Sequence, residues 1–163
     1  MSSTPIQAGA TSTDSGNSEF VLRAGTSLIF VLVCYLFQWH WLRSATLEGN
    51  AAFDALMGVR LDRVASDAVL WNGSLYRYVI SCTFADVWCG ALAFLIDLRR
   101  SILCNFRRLA IFTVALFAFN ITRLSLSDFF FAHRIPWVIA HDAFAGFCYY
   151  AVWQYLWRTR SWK

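Results

Sequence analysis

Residues 109–131 read LAIFTVALFAFNITRLSLSDFFF, an apolar run interrupted by two charges, Arg123 and Asp128. About 20 such residues, wound at roughly 1.5 Å each, cross the ~30 Å hydrocarbon core of a bilayer. The stretch therefore predicts a membrane-crossing helix. Three more runs flank it. One covers 20–42, with Arg23 at its start and the aromatic, polar exit Gln38-Trp39-His40-Trp41, the composition of an interfacial belt. A second covers 82–98 and is closed by Arg99 and Arg100. The last covers 135–157, opened by Pro136 and Trp137 and closed by Arg158. The expected fold is an all-α membrane protein with about four transmembrane helices (20–42, 82–98, 109–131 and 135–157). They form one integral domain, residues 20–163, behind a Ser/Thr/Gly/Ala-rich cytoplasmic tail, residues 1–19, expected to be disordered.

Composition points the same way. Of 163 residues, 58% are hydrophobic and 15% charged, with mean hydropathy +0.49. Soluble domains carry about 25% charged residues, and a chain this small has too much surface to hide the apolar surplus. The same figures exclude a disordered chain and a collagen-like one. Five cysteines, an odd number, outline no disulfide framework. The net charge of +4 sits in a few short clusters, which excludes nucleic acid as a partner and favours the bilayer. Arg99, Arg100, Arg107 and Arg108 face only Asp97 in one loop, and Arg158, Arg160 and Lys163 end the chain. Short basic loops stay cytoplasmic, so the expected placement is a multi-pass protein of the cell (inner) membrane, N-in and C-in, with 43–81 and 132–135 outside.

The outer segment 43–81 carries Arg43, Glu48, Asp54, Arg60, Asp62, Arg63, Asp67 and Arg77, which bars it from hydrocarbon. Ala52, Phe53, Leu56, Met57, Leu61 and Val64 recur at helical spacing and predict an amphipathic helix lying on the membrane surface. Asn72-Gly73 stands between β-prone runs and predicts a small hairpin, since both residues tolerate the positive φ of a type I′ turn.

Ionisable groups inside spans are costly and usually functional. Asp86, Arg123, His141 and Asp142 fall there; Asp97 and Asp128, at span ends, are expected to be solvated boundaries. With this topology Cys82 stands at the outer mouth of the second span, Asp86 a turn below it, and Arg123 and His141 at similar depth on the third and fourth. Arg123 tying helices together through Asp86 or Asp142 is the plainer reading of that residue, and Asn120 is open to either an interhelical contact or a site role. The trio is chemically coherent. A thiol after a strand and at a helix start is placed for thiolate formation. Imidazole moves protons near neutral pH, and guanidinium stabilises an oxyanion or holds a carboxylate. Together they suit acyl transfer through a thioester.

Ile80-Ser81-Cys82-Thr83 after a β-like run, Asn120-Ile121-Thr122-Arg123, and His141 five residues before Gly146 resemble the exosortase/archaeosortase family of membrane-embedded cysteine transpeptidases, in a short form. The resemblance covers roughly residues 50–157. It implies a protein-sorting peptidase that recognises a C-terminal motif, transmembrane helix and basic cluster on exported proteins, cleaves near the motif and passes the new carboxyl end to an acceptor. It further implies Cys82 as nucleophile, Arg123 as stabiliser and His141 as acid/base. Cys89-Gly90, seven residues on and nearly two helical turns away, is an alternative match for the nucleophile, and a dedicated membrane partner fits the short chain. Two other classes compete: a four-helix redox protein (thiol/quinone or haem b) and a non-catalytic membrane adaptor. No metal-ligand spacing, phosphate loop or other cofactor motif is present in the sequence.

Overall fold

The computed structural model describes residues 12–71 and 73–158, with residues 12–17 described by backbone alone. Helix α1, Ser12–Cys34, starts ahead of the expected Phe20. Residues 12–19 are thus helical and not a loose tail, while 1–11 lie outside the described residues. The apolar run 20–42 is not one helix. The indole Nε1 of Trp39 donates to the Cys34 carbonyl at 2.9 Å, adding a side-chain cap to a helix end whose last carbonyls also accept from the Tyr35, Leu36 and Phe37 amides. Trp39 itself turns left-handed at φ 49, and α2, His40–Leu56, starts anew.

Helix α2 has the expected two faces, and the polar one is the face that the protein covers. It buries Thr46, Leu47, Asn50 and Asp54 and leaves Phe53 and Leu56 exposed. Its polar groups bond one another against α5, so the apolar side faces outward. Leu61 and Val64 do not extend the helix. Gly58 breaks away at φ +79, and Val64 falls in β1, Asp62–Ala65. β2, Ala68–Trp71, and β3, Ser74–Arg77, form the expected hairpin with Trp71 opposite Ser74. Gly73 supplies φ +78; Asn72 lies outside the described residues. The sheet has a third strand the sequence reading lacked, giving the antiparallel order β1-β2-β3, with β1 irregular between Arg63 and Ala65. Val69 of β2 and Tyr78 pack on Leu47 and Leu124, seating the sheet on α2 and α5.

The expected second span is also broken. α3, Ile80–Thr83, and α4, Ala85–Leu95, meet at Phe84, left-handed at φ 55. The Thr83 hydroxyl fixes the joint by donating to Ile80 O at 2.7 Å and accepting from Ala85 N at 3.2 Å. α5, Ile102–Ala132, is capped by Ser101, whose side chain accepts from Cys104 N, and takes Arg107 and Arg108 into its first turns. A π-helical segment, Val138–Ala143, opens the fourth run and continues as α6, Phe144–Arg158.

The chain is mostly helical with this one small sheet. α1 runs beside α4 in the opposite sense. Arg23 Nη1 donates to Ala93 O at 2.7 Å and Ile96 O at 2.9 Å, capping the end of α4, while Tyr35 OH reaches Asp86 at the other end. Phe20 meets Trp157 edge-on at 5.1 Å. The core lies between α4, α5 and α6, with Phe84, Val87, Ala91, Leu95, Phe112, Leu116, Cys148 and Leu156. Among the described residues α5 is the one helix long and apolar enough to cross a membrane.

Candidate active site

Cys82 is the third residue of α3, directly after the sheet. The Val79 backbone lies within hydrogen-bonding reach of its sulfur. His141 sits in the π-helical segment, where the wider turn displaces side chains from the α-helical register. Its ring lies flat on Trp137, centroids 4.5 Å apart at 9°, and its Nδ1 meets Asp142 Oδ1 at 2.9 Å. That bond fixes the ring and turns Nε2 away from Asp142. Trp137 is held in turn by Tyr76 at 5.2 Å and by Phe131 at 5.2 Å, and Phe131 by Trp71 at 5.0 Å. The hairpin and the π-helical segment are joined by this aromatic cluster. These aromatics are therefore not merely lipid-facing, as the composition alone suggests.

Cys82 and His141 line one cavity of ≈ 210 Å³, together with Asp128, Tyr78, Leu124 and the aromatic cluster. Arg123 stands behind it on α5, only 2% exposed, about 14 Å below the helix end. Its Nε and Nη2 donate to Asn120 Oδ1 at 3.3 and 3.2 Å. Asn120, fully buried, donates through Nδ2 to the Cys82 carbonyl at 2.7 Å. One amide thus ties the guanidinium to the cysteine's own backbone. Arg123 also lies over the Phe84 ring at 4.8 Å and is near enough to Cys82 for direct Coulombic interaction. Neither Asp86 nor Asp142 pairs with it among the described residues, and its Nη1 makes no hydrogen bond there.

Asp86 and Cys89 belong elsewhere. Asp86 accepts from Tyr35 OH at 3.0 Å and from Tyr149 OH at 3.0 Å, which makes it a tie between α1, α4 and α6. Cys89 packs with Cys34 and Ala85 between α1 and α4. The seven-residue spacing puts Cys82 and Cys89 on one face only of an unbroken helix, and the left-handed Phe84 redirects the chain between them. Asp142 touches His141 but is itself largely exposed.

The sequence reading missed a buried polar cluster behind the cavity. Asn50 Nδ2 lies 2.7 Å from Asp128 Oδ2, 3.0 Å from Asp54 Oδ2 and 2.8 Å from Tyr78 OH, and Ser125 Oγ donates to Asn50 Oδ1 at 2.9 Å. Asp128 is buried, which corrects its expected place at a solvated helix end: α2 and the sheet cover that end of α5. Asp54 is fully buried, and its Oδ1 has no hydrogen-bond partner among the described residues. Burial pushes its carboxyl above the usual range, opposed by the neighbouring Ser125 and Asp128 side chains. The available signal was the i, i+4 pair Asn50 and Asp54 on one helix face. No group of three or more His, Cys, Asp or Glu among the described residues could hold a metal ion. No family model, curated protein or solved structure matches the chain.

Proposed function

We propose that this chain is a membrane-embedded cysteine peptidase and transpeptidase of the exosortase/archaeosortase kind, acting on exported proteins from the outer face of the membrane. One observation carries the reading. Cys82 and His141, remote in sequence, line a single small cavity, and Arg123 is tied to Cys82 through Asn120.

The membrane reading rests on where the apolar side chains lie. Val21, Leu22, Leu28, Ile29 and Leu32 on α1, Ile111 and Val114 on α5, and Phe147 and Tyr150 on α6 are exposed, far more than a soluble monomer leaves bare. In this reading α1, α3–α4, α5 and the π-helical segment with α6 are four antiparallel rods, N-in and C-in. The break at Phe84 and the shortness of α4 are compatible with it, because irregular backbone is tolerated at membrane depth where protein covers it, and Phe84 and most of α4 are buried.

His141 takes the Cys82 proton as the sulfur attacks the scissile carbonyl, and the charge of Arg123, from behind the cavity, offsets that of the developing oxyanion. The C–N bond then breaks, His141 returns the proton to the leaving amine, and a Cys82 thioester remains. An acceptor amine or water, deprotonated by His141, attacks the thioester and frees the thiol. A polar groove of ≈ 630 Å³ along Tyr35, His40, Arg43, Asp67 and Ser81 shares Arg77 and Val79 with the cavity, and gives an extended sorting motif a path to Cys82. Signal helix and basic cluster then run down into the bilayer.

The test is co-expression with an exported protein ending in motif, apolar helix and arginines, following cleavage by immunoblot. Cys82→Ala is expected to leave the substrate uncleaved while the variant still accumulates in the membrane, and Cys89→Ala to cleave normally. Normal cleavage by Cys82→Ala overturns the proposal. One observation favours a second reading, a thiol redox protein: Cys34 and Cys89 lie within hydrogen-bonding reach of each other. That reading requires Cys34→Ser to abolish activity, whereas the peptidase reading requires it to be silent.

A further inference from the structure

An apolar recess separate from the Cys82 cavity opens elsewhere on α5. It is a groove of ≈ 430 Å³ between α5 and α6, lined by Arg108, Ile111, Ala115 and Phe119 on one side and Ala151 and Tyr155 on the other. The α5 positions recur at i, i+3, i+7 and i+11, so they form one stripe, and each helix contributes an alanine to the lining, Ala115 and Ala151. Its volume falls within the roughly 300–1,000 Å³ of small-molecule sites. One end carries a cation. Arg108 Nη1 is buried from solvent and has no hydrogen-bond partner among the described residues, a costly state for a guanidinium nitrogen unless something anionic meets it.

The dimensions fit one leaflet. α5, with 31 residues, is about 46 Å long, so it overhangs the ~30 Å hydrocarbon core by about 8 Å at each end. Arg108 lies about 9 Å from the start of α5, at the hydrocarbon boundary, and from there to Phe119 is about 16 Å, close to half the core. We infer that this groove holds an acyl chain of an anionic phospholipid of the cytoplasmic leaflet, with its phosphate on Arg108. The charge selects the occupant. A substrate's signal helix brings its own basic cluster to that side, and Arg108 repels it; a lipid phosphate offers two or more acceptor oxygens to the guanidinium.

The inference rests on the membrane reading and orientation proposed above, and the experiment separates the two. Carbonate extraction of membranes reads membrane integration alone: release of the protein overturns both the membrane reading and the lipid site. With the protein retained in the membrane, the intact chain is purified in nonionic detergent, offered phosphatidylglycerol or phosphatidylcholine, and examined by native mass spectrometry. The expected result is one retained phosphatidylglycerol per chain, with phosphatidylcholine lost on activation. Arg108→Gln is expected to weaken phosphatidylglycerol retention about tenfold or more, as loss of a charged hydrogen bond implies. Arg108→Lys keeps most of it, and Ala115→Trp, which fills the groove, abolishes it. Equal retention of both lipids, undiminished binding by Arg108→Gln, or crosslinking of the substrate helix to position 115 overturns the lipid assignment and leaves the peptidase reading standing.

Discussion

Asn120 shows how much a single buried amide can organise. It accepts from Arg123 and donates to the Cys82 carbonyl, so alanine there leaves two buried polar groups unpaired at a cost of about 1–3 kcal/mol each. If that cost falls on the geometry of the attack, turnover drops about 10–100-fold. Cleavage rates normalised to protein level are the measurement, and Asn120→Ala with a wild-type rate removes the amide from the site. Asp54 tests a different property. Burial raises its carboxyl, so the folded chain holds a proton that the unfolded chain gives up. Its stabilising contribution is complete below the ordinary carboxylate range and is lost as pH rises through the folded value. Asn50 donates to it, and Ser125, Asp128 and Tyr78 are its other polar neighbours. Melting temperatures in detergent are expected to fall as pH rises above the ordinary carboxylate range of about 4, and Asp54→Asn to flatten that slope and to be the more stable protein at the alkaline end. A slope unchanged in Asp54→Asn locates the titration elsewhere.

Among the elements, the α3–α4 joint sets the position of the cysteine. A left-handed Phe is strained by about 1–2 kcal/mol, and the strain is held because the ring is fully buried in the core. Replacing a buried Phe with a small residue costs about 3–5 kcal/mol, more than the strain relieved. Both Phe84→Ala and Phe84→Gly should therefore melt lower than wild type, with Gly above Ala by about 1 kcal/mol because it alone accepts the positive φ freely. Denaturation in mixed micelles gives the order, and Ala above Gly contradicts the strain. Gly90 works the other way: a Cβ there would meet Val31 Cγ2 at 3.0 Å, Ser27 Oγ at 3.1 Å and the Trp153 ring at 3.1 Å. Gly90→Leu is thus expected to part α1 from α4 and lower accumulation of the protein. Such joints also mark the limit of what the sequence discloses. The long run 109–131 is legible because periodicity and length agree, and the hairpin because Gly73 needs positive φ. The breaks at Trp39 and Phe84 involve neither Gly nor Pro; they depend on an indole cap and on tertiary packing, which have no local signature. For the same reason the burial of the polar face of α2 is not visible in its own sequence. Its apolar spacing is real, but the polar residues between find their partners on α5 and the sheet, and those partners are distant in sequence.

At the scale of the molecule, the proposed orientation rests on where the arginines fall in the sequence, and α1 and α4 lie antiparallel. Arg23 and Ile96 meet on one side, Tyr35 and Asp86 on the other. Two cysteines mark those sides. Cys82 lines the cavity beside the sheet, and Cys104 lies in the first turn of α5, next to the basic loop; both are half-buried. If basic loops stay inside, a membrane-impermeant maleimide applied to intact cells should label a variant retaining only Cys82 and not one retaining only Cys104. Permeabilised cells should show labelling of both. Pre-incubation with a peptide carrying the sorting motif should protect Cys82 alone, since the polar groove and the cavity share Arg77 and Val79. Labelling of Cys104 and not Cys82 in intact cells inverts the topology, and an inverted topology takes the thiol away from exported substrates and the peptidase proposal with it.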